Sequence, residues 1–239
     1  MADAFKVAII IPAFNEAPTI GGVVASACSL GHAVFVVDDS SCDATGKVAA
    51  EAGATVLRMP YQQGAWGAIQ AGMRYALNLG YGLFITMDAD GQHEPQHIAT
   101  LIDAYRARNE NLIIGSCPER GSKARKLAWC VFSMLTRLRA KDITSGFRLY
   151  DHRAAGVLLC NEASLLDYQD LGVLLLLRRH HMHFGEVAIP MRTRLVGHSR
   201  IFDTWLKVAR YLATTMLWIF ADWVSPPRRL SCRKQDDSL

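Results

Sequence analysis

The chain has 239 residues, 51% hydrophobic and 20% charged, with a formal net charge of +4. That excludes a disordered or fibrous chain and leaves apolar material for one large α/β domain with a sizeable core. The small net charge excludes a polyelectrolyte, and no nucleic-acid partner is expected; positive charge gathers late, with seven Lys/Arg against Glu186 and Asp203 between Arg178 and Arg210, then Arg228, Arg229, Arg233 and Lys234.

Along the chain, short Val/Ile-rich runs alternate with segments of helical period. VAIII (7–11), AVFVV (33–37), TVL (55–57), LFITM (83–87) and NLIIG (111–115) read as strands covered on both faces, because they are apolar without alternation. Helices are expected near 18–30, 43–53, 65–79 and 95–108, the last opened by Pro95, whose missing N–H costs nothing in a first turn. Repeated strand–helix units imply right-handed crossovers and a mostly parallel sheet, with ligands gathering at the carboxyl ends of its strands. Those ends carry PAFNE (12–16), DDSS (38–41) and DADGQ (88–92), delivering Asn15, Glu16, Asp38, Asp39, Asp88 and Asp90 to one rim.

Six cysteines are scattered with no C-x-x-C pair. A disulfide framework or zinc ribbon is not expected, and a reduced, cytosolic setting fits best. MADAFKVAIIIP enters a strand-like run directly, without the basic region, long apolar stretch and cleavage site of a signal peptide.

A lone D-x-D is a weak signal, and Asp is an ordinary turn residue after a strand. Convergence at strand ends strengthens it, since clustered carboxylates repel unless a cation or a donor network compensates. Asp88, Asp90 and the amide oxygen of Gln92 are hard ligands that suit Mg²⁺ or Mn²⁺. HEPQH (93–97) overlaps them and matches the zinc-protease pattern H-E-x-x-H, but Pro95 separates the histidines and marks a helix start. No phosphate loop of the G-x-x-x-x-G-K-[ST] type and no G-x-G-x-x-G follows the first strand. QQGAWGA (62–68) serves equally well as a tight turn or as backbone that approaches a ligand.

IIIPAFNE, VVDDSSCDAT, QQGAWGAI, MDADGQHEP, IGS, DITSGFRLYD and GHSRI stand in the order and spacing of family-two glycosyltransferases of the GT-A fold. Over roughly residues 5–203 the chain most resembles the dolichyl- or polyprenyl-phosphate sugar transferases and their bacterial relatives. The resemblance implies inverting transfer of one sugar from a nucleoside-diphosphate donor. Pro12, Phe14 and Glu16 match the donor-base and ribose loop, Val37 and Asp39 the nucleoside pocket, and Asp88, Ala89, Asp90 and Gln92 the metal–diphosphate loop. Ser145 and Arg148 match the segment lining the sugar or acceptor pocket, although Arg148 reads almost as well as a core-edge ion pair; Arg200 matches a basic position near phosphate. Where the family often has arginine after IGS this chain has Cys117, which shifts that contact to Arg120, and Gln62 replaces a usual Asn.

A hydroxyl acceptor needs a carboxylate base, for which Asp170 of DYQD is the first candidate and Asp167 the second, whereas a lipid phosphate needs none. Asp at a helix start is also a common cap. Residues 205–224 (WLKVARYLATTMLWIFADWV) hold Lys207, Arg210 and Asp222 within a long apolar stretch and are followed by SPPRRLSCRK. They suit an interfacial helix better than a span, the alternative being a helix packed on the core.

The expected organisation is a GT-A domain over 1–203 and an amphipathic helix with a basic tail over 204–239. The expected function is a metal-dependent inverting glycosyltransferase acting on a polyprenyl-phosphate or lipid-linked acceptor, cytoplasmic and peripheral at the inner face of the membrane. Its partners would include a homo-oligomer or a membrane protein. The alternatives are a soluble hexosyltransferase acting on another hydroxyl and a catalytically idle sugar-nucleotide-binding protein.

Overall fold

Strand β1 (Val7–Ala13) sits inside the sheet because it is apolar on both sides. Ala8 and Ile10 enter one core cluster, Ile9 and Ile11 the other, and all four are fully buried. A computed structural model describes residues 6–108, 110–117, 142–166 and 169–192, together with 119, 134, 136, 138, 213–217, 219, 220 and 224. After β1 come α1 (Ala17–Cys28), β2 (Ala33–Asp38), α2 (Thr45–Glu51), β3 (Thr55–Arg58), α3 (Gly64–Asn78) and β4 (Leu83–Thr86). A 3-10 turn at Pro95–His97 leads into α4 (Ile98–Arg108), then β5 (Leu112–Ser116), β6 (Arg148–Asp151), α5 (His152–Leu158), α6 (Leu171–Arg179) and β7 (Phe184–Ala188).

The seven strands form one sheet in the order β3-β2-β1-β4-β6-β5-β7. All pairs are parallel except those of β6, which runs antiparallel to both β4 and β5. One face carries α3, α5 and α6 over Phe35, Phe84, Ile114 and Tyr150; the other carries α1, α2 and α4 over Val36, Ile85, Ile113 and Leu149. Helix α3 lies so close to the sheet that a methyl group added at Gly72 would come within 2.6 Å of Ile10 Cγ2. Each fully buried Ile or Leu contributes about 1.5–3 kcal/mol, so this two-sided burial is the main stabilising term.

The expected strands and helices of residues 7–116 are all present, within a few residues of their expected ends. Strands β6 and β7 were not expected. β6 (RLYD) has a charge at each end, and β7 (FGEVA) is a half-exposed edge strand that carries Gly and Glu, so neither shows an apolar run. The expected boundary between 203 and 204 lies outside the described residues.

Candidate functional site

The sheet order β2-β1-β4 places three carboxyl ends side by side. Ala13 pairs with Asp38, Ile10 with Thr86, and the Asp39 amide donates to the Ala13 carbonyl at 2.8 Å. The first two loops are laced together. The Asn15 amide donates to Ser41 Oγ, the Cys42 amide to Asn15 Oδ1, and the Glu16 amide to Thr45 Oγ1. Pro12 pairs with the fully buried Val37, Phe14 is half-buried, and Glu16 precedes α1.

The carboxylates of this rim are compensated mostly by protein donors. Asp38 Oδ1 accepts from the Ser41 amide at 2.9 Å. Asp39, only 3% exposed, accepts from the Gln63 amide at 2.7 Å and the Gly64 amide at 2.8 Å, which makes it the cap of α3. Residues 64–68 of QQGAWGA therefore open α3 rather than forming a tight turn, and the leading amides are already taken by Asp39, with Gly64 at φ 82°. Asp43 accepts from the Thr45 and Ala17 amides and the Thr45 hydroxyl. Desolvation pushes its carboxyl up, but these bonds outweigh it and hold Asp43 below its ordinary value. Asp90, 4% exposed, accepts from the Gln92 amide at 3.0 Å.

Asp88 is different. Its side chain is 44% exposed, and its oxygens accept no hydrogen bond among the described residues. Its amide donates to His93 Nδ1 at 3.1 Å, and its Oδ2 lies 3.6 Å from the same nitrogen. The His93 ring is buried and stacks on Phe147, centroids 5.2 Å apart. On the other side, a methyl added at Gly146 would meet Asp88 Oδ1 at 2.7 Å. His93 is therefore spent on loop structure, and Pro95 opens the 3-10 turn that carries His97, so HEPQH is not a helical histidine pair. No group of three or more His, Cys, Asp or Glu could hold a metal ion among the described residues. A cation at this loop would take Asp88, Asp90 and the Gln92 amide oxygen, and complete its shell from elsewhere.

The antiparallel β6 brings its amino end, not its carboxyl end, to the same rim. Arg148 is 0% exposed. Its Nε donates to the Ser145 carbonyl at 2.8 Å, its Nη2 to the Ile143 carbonyl at 2.6 Å, and its Nη1 lies 3.5 Å from Tyr150 Oη. No carboxylate pairs with it among the described residues, so it is not the core-edge ion pair that the sequence allowed, nor is it open to a ligand here. Ser145 Oγ donates to the Gly115 carbonyl at 2.5 Å. Gln169 Nε2 donates to both Thr86 Oγ1 and Tyr150 Oη, and Thr86 Oγ1 donates to the Gly146 carbonyl, tying the start of α6 to the end of β4. Asp170 caps α6, accepting from the Gly172 amide at 3.3 Å.

Past β7, the Arg192 amide donates to the Gln92 carbonyl and its guanidinium lies 2.6 Å from Glu94. Asp167, Arg120 and Arg200 lie outside the described residues, as do Lys207, Arg210 and Asp222. Of the expected tail helix, 213–217, 219, 220 and 224 are helical. Thr215 and Ile219 are buried, the latter in the α3–α5–α6 core, while Met216, Leu217, Phe220 and Val224 are exposed. No helix among the described residues is long and apolar enough to cross a membrane. Sequence reading missed Thr86, Tyr150 and Gln169 as structural partners of the site, because their links run across the chain, and it missed the local bond from the Asp88 amide to His93, which matches no motif.

The model of glycosyl transferase family 2 matches residues 8–156. The chain is 35% identical over 161 residues to a polyprenol monophosphomannose synthase of Mycolicibacterium smegmatis, covering 59% of this chain and 60% of that protein. It is 35% identical over 163 residues to an undecaprenyl-phosphate mannosyltransferase of Micrococcus luteus, covering 61% and 66%. The chain thus spans less than two thirds of the length of either relative. Glucosyl-3-phosphoglycerate synthase of Mycobacterium tuberculosis, crystallised with phosphoglyceric acid, superposes with a TM-score of 0.71 at 16% identity, over 91% of this chain and 81% of that one. The same enzyme with Mg²⁺ and uridine diphosphate gives 0.70 at 18% identity, over 90% and 79%. At these identities the likeness establishes the GT-A fold.

Proposed function

We propose, for a chain that belongs to glycosyl transferase family 2, that it moves one sugar from a nucleoside-diphosphate donor to a polyprenyl phosphate. The observation that carries this reading is Asp88. The other described aspartates of its rim are held by protein amides, and it alone among them presents an open, half-exposed carboxylate. The names of the two relatives support the acceptor.

Asp88, Asp90 and Gln92 would hold Mg²⁺ or Mn²⁺, three hard oxygens that leave room for phosphate oxygens and water. The ion would neutralise the diphosphate as the bond to the anomeric carbon breaks. Pro12, Phe14, Glu16, Val37 and Asp39 would form the nucleoside side, with Asp39 acting by fixing α3 against β2. An oxygen of the acceptor phosphate attacks the anomeric carbon from the face opposite the leaving group. The new carbon–oxygen bond forms as the old one breaks, the nucleoside diphosphate departs, and the configuration inverts. The acceptor is already anionic and needs no base, which accords with Asp170 serving as a helix cap.

The tail supports a peripheral site at the membrane. Its helix buries Thr215 and Ile219 and exposes Met216, Leu217, Phe220 and Val224, an apolar face opposite a docked one. The test is direct. The full chain is incubated with Mn²⁺, a panel of nucleoside-diphosphate sugars and a short-chain polyprenyl phosphate. A sugar-bearing, solvent-extractable lipid phosphate is expected from one donor. Transfer only to a free hydroxyl would replace this reading with the hydroxyl-acceptor alternative, and donor binding without any transfer with the idle one.

A further inference from the structure

We infer that Arg148 is a positioning residue: from beneath, it shapes residues 143–147 into a loop that offers the Gly146 amide to a phosphoryl oxygen. This rests on the proposed function for its ligand, but it assigns Arg148 a role other than contact. Four carbonyls of this short loop are drawn inward. Ile143 and Ser145 accept from Arg148, Gly146 from Thr86 Oγ1, and Phe147 from the Gly115 amide. Every peptide here is trans, so each N–H points opposite to the carbonyl of the residue before it. The inward Ser145 carbonyl therefore turns the Gly146 amide away from Arg148.

The neighbouring outward amides are spent locally: Thr144 donates to Asp142 Oδ1 and Phe147 to Ser145 Oγ, both at 3.3 Å. The Gly146 amide has no acceptor among the described residues. It sits against Asp88, since a methyl at Gly146 would lie 2.7 Å from Asp88 Oδ1.

Charge points the same way. A buried guanidinium is costly unless compensated, and here it faces carbonyl dipoles rather than a carboxylate. The loop thus sets the guanidinium charge beneath an outward amide, a combination that attracts anions, with the Asp142 and Asp88 carboxylates beside it rather than beneath it. Lysine cannot hold two carbonyls in one planar fork as Arg148 does. The anion is a phosphoryl oxygen, either of the donor diphosphate or of the acceptor phosphate.

Ser145–Gly146 is the only Ser-Gly pair in the sequence, so carbonyl-¹³C serine with ¹⁵N glycine isolates this amide in an NMR spectrum of the full chain. Three additions are compared: a nucleoside diphosphate, a short-chain polyprenyl phosphate, and the uncharged nucleoside. The Gly146 resonance should move with one of the anions and not with the nucleoside, and the responding arm names the source of the phosphate. Arg148→Met and Arg148→Lys should each weaken that anion about tenfold or more, the scale of one charge-assisted hydrogen bond, with nucleoside affinity unchanged. An anion that binds, seen by thermal shift, while Gly146 stays still would overturn the inference and leave the function standing. So would wild-type anion affinity in folded Arg148→Met. If neither anion binds the wild-type chain, the functional reading falls and the inference with it. Should the variants fail to fold, the wild-type resonance still decides.

Discussion

Asp39 at the end of β2 and Gly64 at the start of α3 are joined by a 2.8 Å hydrogen bond, the carboxylate taking the amide of Gln63 with its other oxygen. The β2 side of the rim is thereby fixed by an acid that has little exposure of its own.

Replacing Asp39 with alanine should destabilise the fold by about 1–3 kcal/mol, the cost of a lost cap and two orphaned amides. Urea unfolding of Asp39→Ala and Asp39→Asn measures it. An unchanged midpoint in both variants would show that the cap carries no energy and that Asp39 serves the ligand alone.

Asp90→Ala should keep its circular dichroism spectrum and lose turnover by roughly three decades or more, about 4 kcal/mol of transition-state stabilisation. EDTA should silence the wild-type chain, and Mn²⁺ should restore it. Full activity in EDTA would remove the metal from the account.

Asp170→Asn keeps an oxygen for the Gly172 amide and abolishes basicity. With a phosphate acceptor the rate should change little. With a hydroxyl acceptor it should fall by roughly 10²–10⁴. The comparison, run on both acceptor types, separates cap from base.

A chain ending at Asp203 should bind sugar nucleotide but lose vesicle binding and lipid-acceptor turnover. The full chain should sediment with anionic vesicles and release only partly as salt rises, because screening weakens the basic tail and not the apolar face. If the full chain remains in the supernatant, the exposed apolar residues Met216, Leu217, Phe220 and Val224 do not insert.

His180 follows α6 with its Nδ1 buried and without a hydrogen-bond partner. Burial lowers its pKa, opposed by Glu162 and helped by Arg179 and His181. The folded state thus favours the neutral ring, and this contribution is full above about pH 6.5, the ordinary histidine value, and lost as pH falls through the depressed one. Urea midpoints should drop on that side of neutrality, and less so in His180→Gln. Equal drops in both proteins would assign the loss elsewhere.

The parallel half of the sheet was legible because its strands are buried on two faces and so read as unbroken apolar runs. Pro95 likewise marks HEPQH as a chance match, because it separates the two histidines at a helix start. β6 was not legible, since Arg148 sits at its start, and only the fold shows that carbonyls 143 and 145 receive that charge. Nor could sequence show that Asp39 spends its carboxylate on residues 63 and 64, because the link spans 24 and 25 positions. Short motifs reveal residue type and strand end; they do not reveal which donors a folded neighbour will already have claimed.

β6 lies antiparallel between β4 and β5, so the chain leaves the sheet at Ser116 and re-enters it at Arg148 on the same edge. Both ends of that excursion are pinned, Gly115 to Phe147 and the Cys117 amide to Asp142. Between those anchors the described residues return to the core, where Leu138 is buried in the α3–α5–α6 cluster and the Thr136 carbonyl accepts from Arg178. The register of β5 against β6 is thus held from both sides of the excursion, so a change of chain length well away from Leu138 is expected to leave the strand pairing as it is, since loop closure costs only slowly more with length.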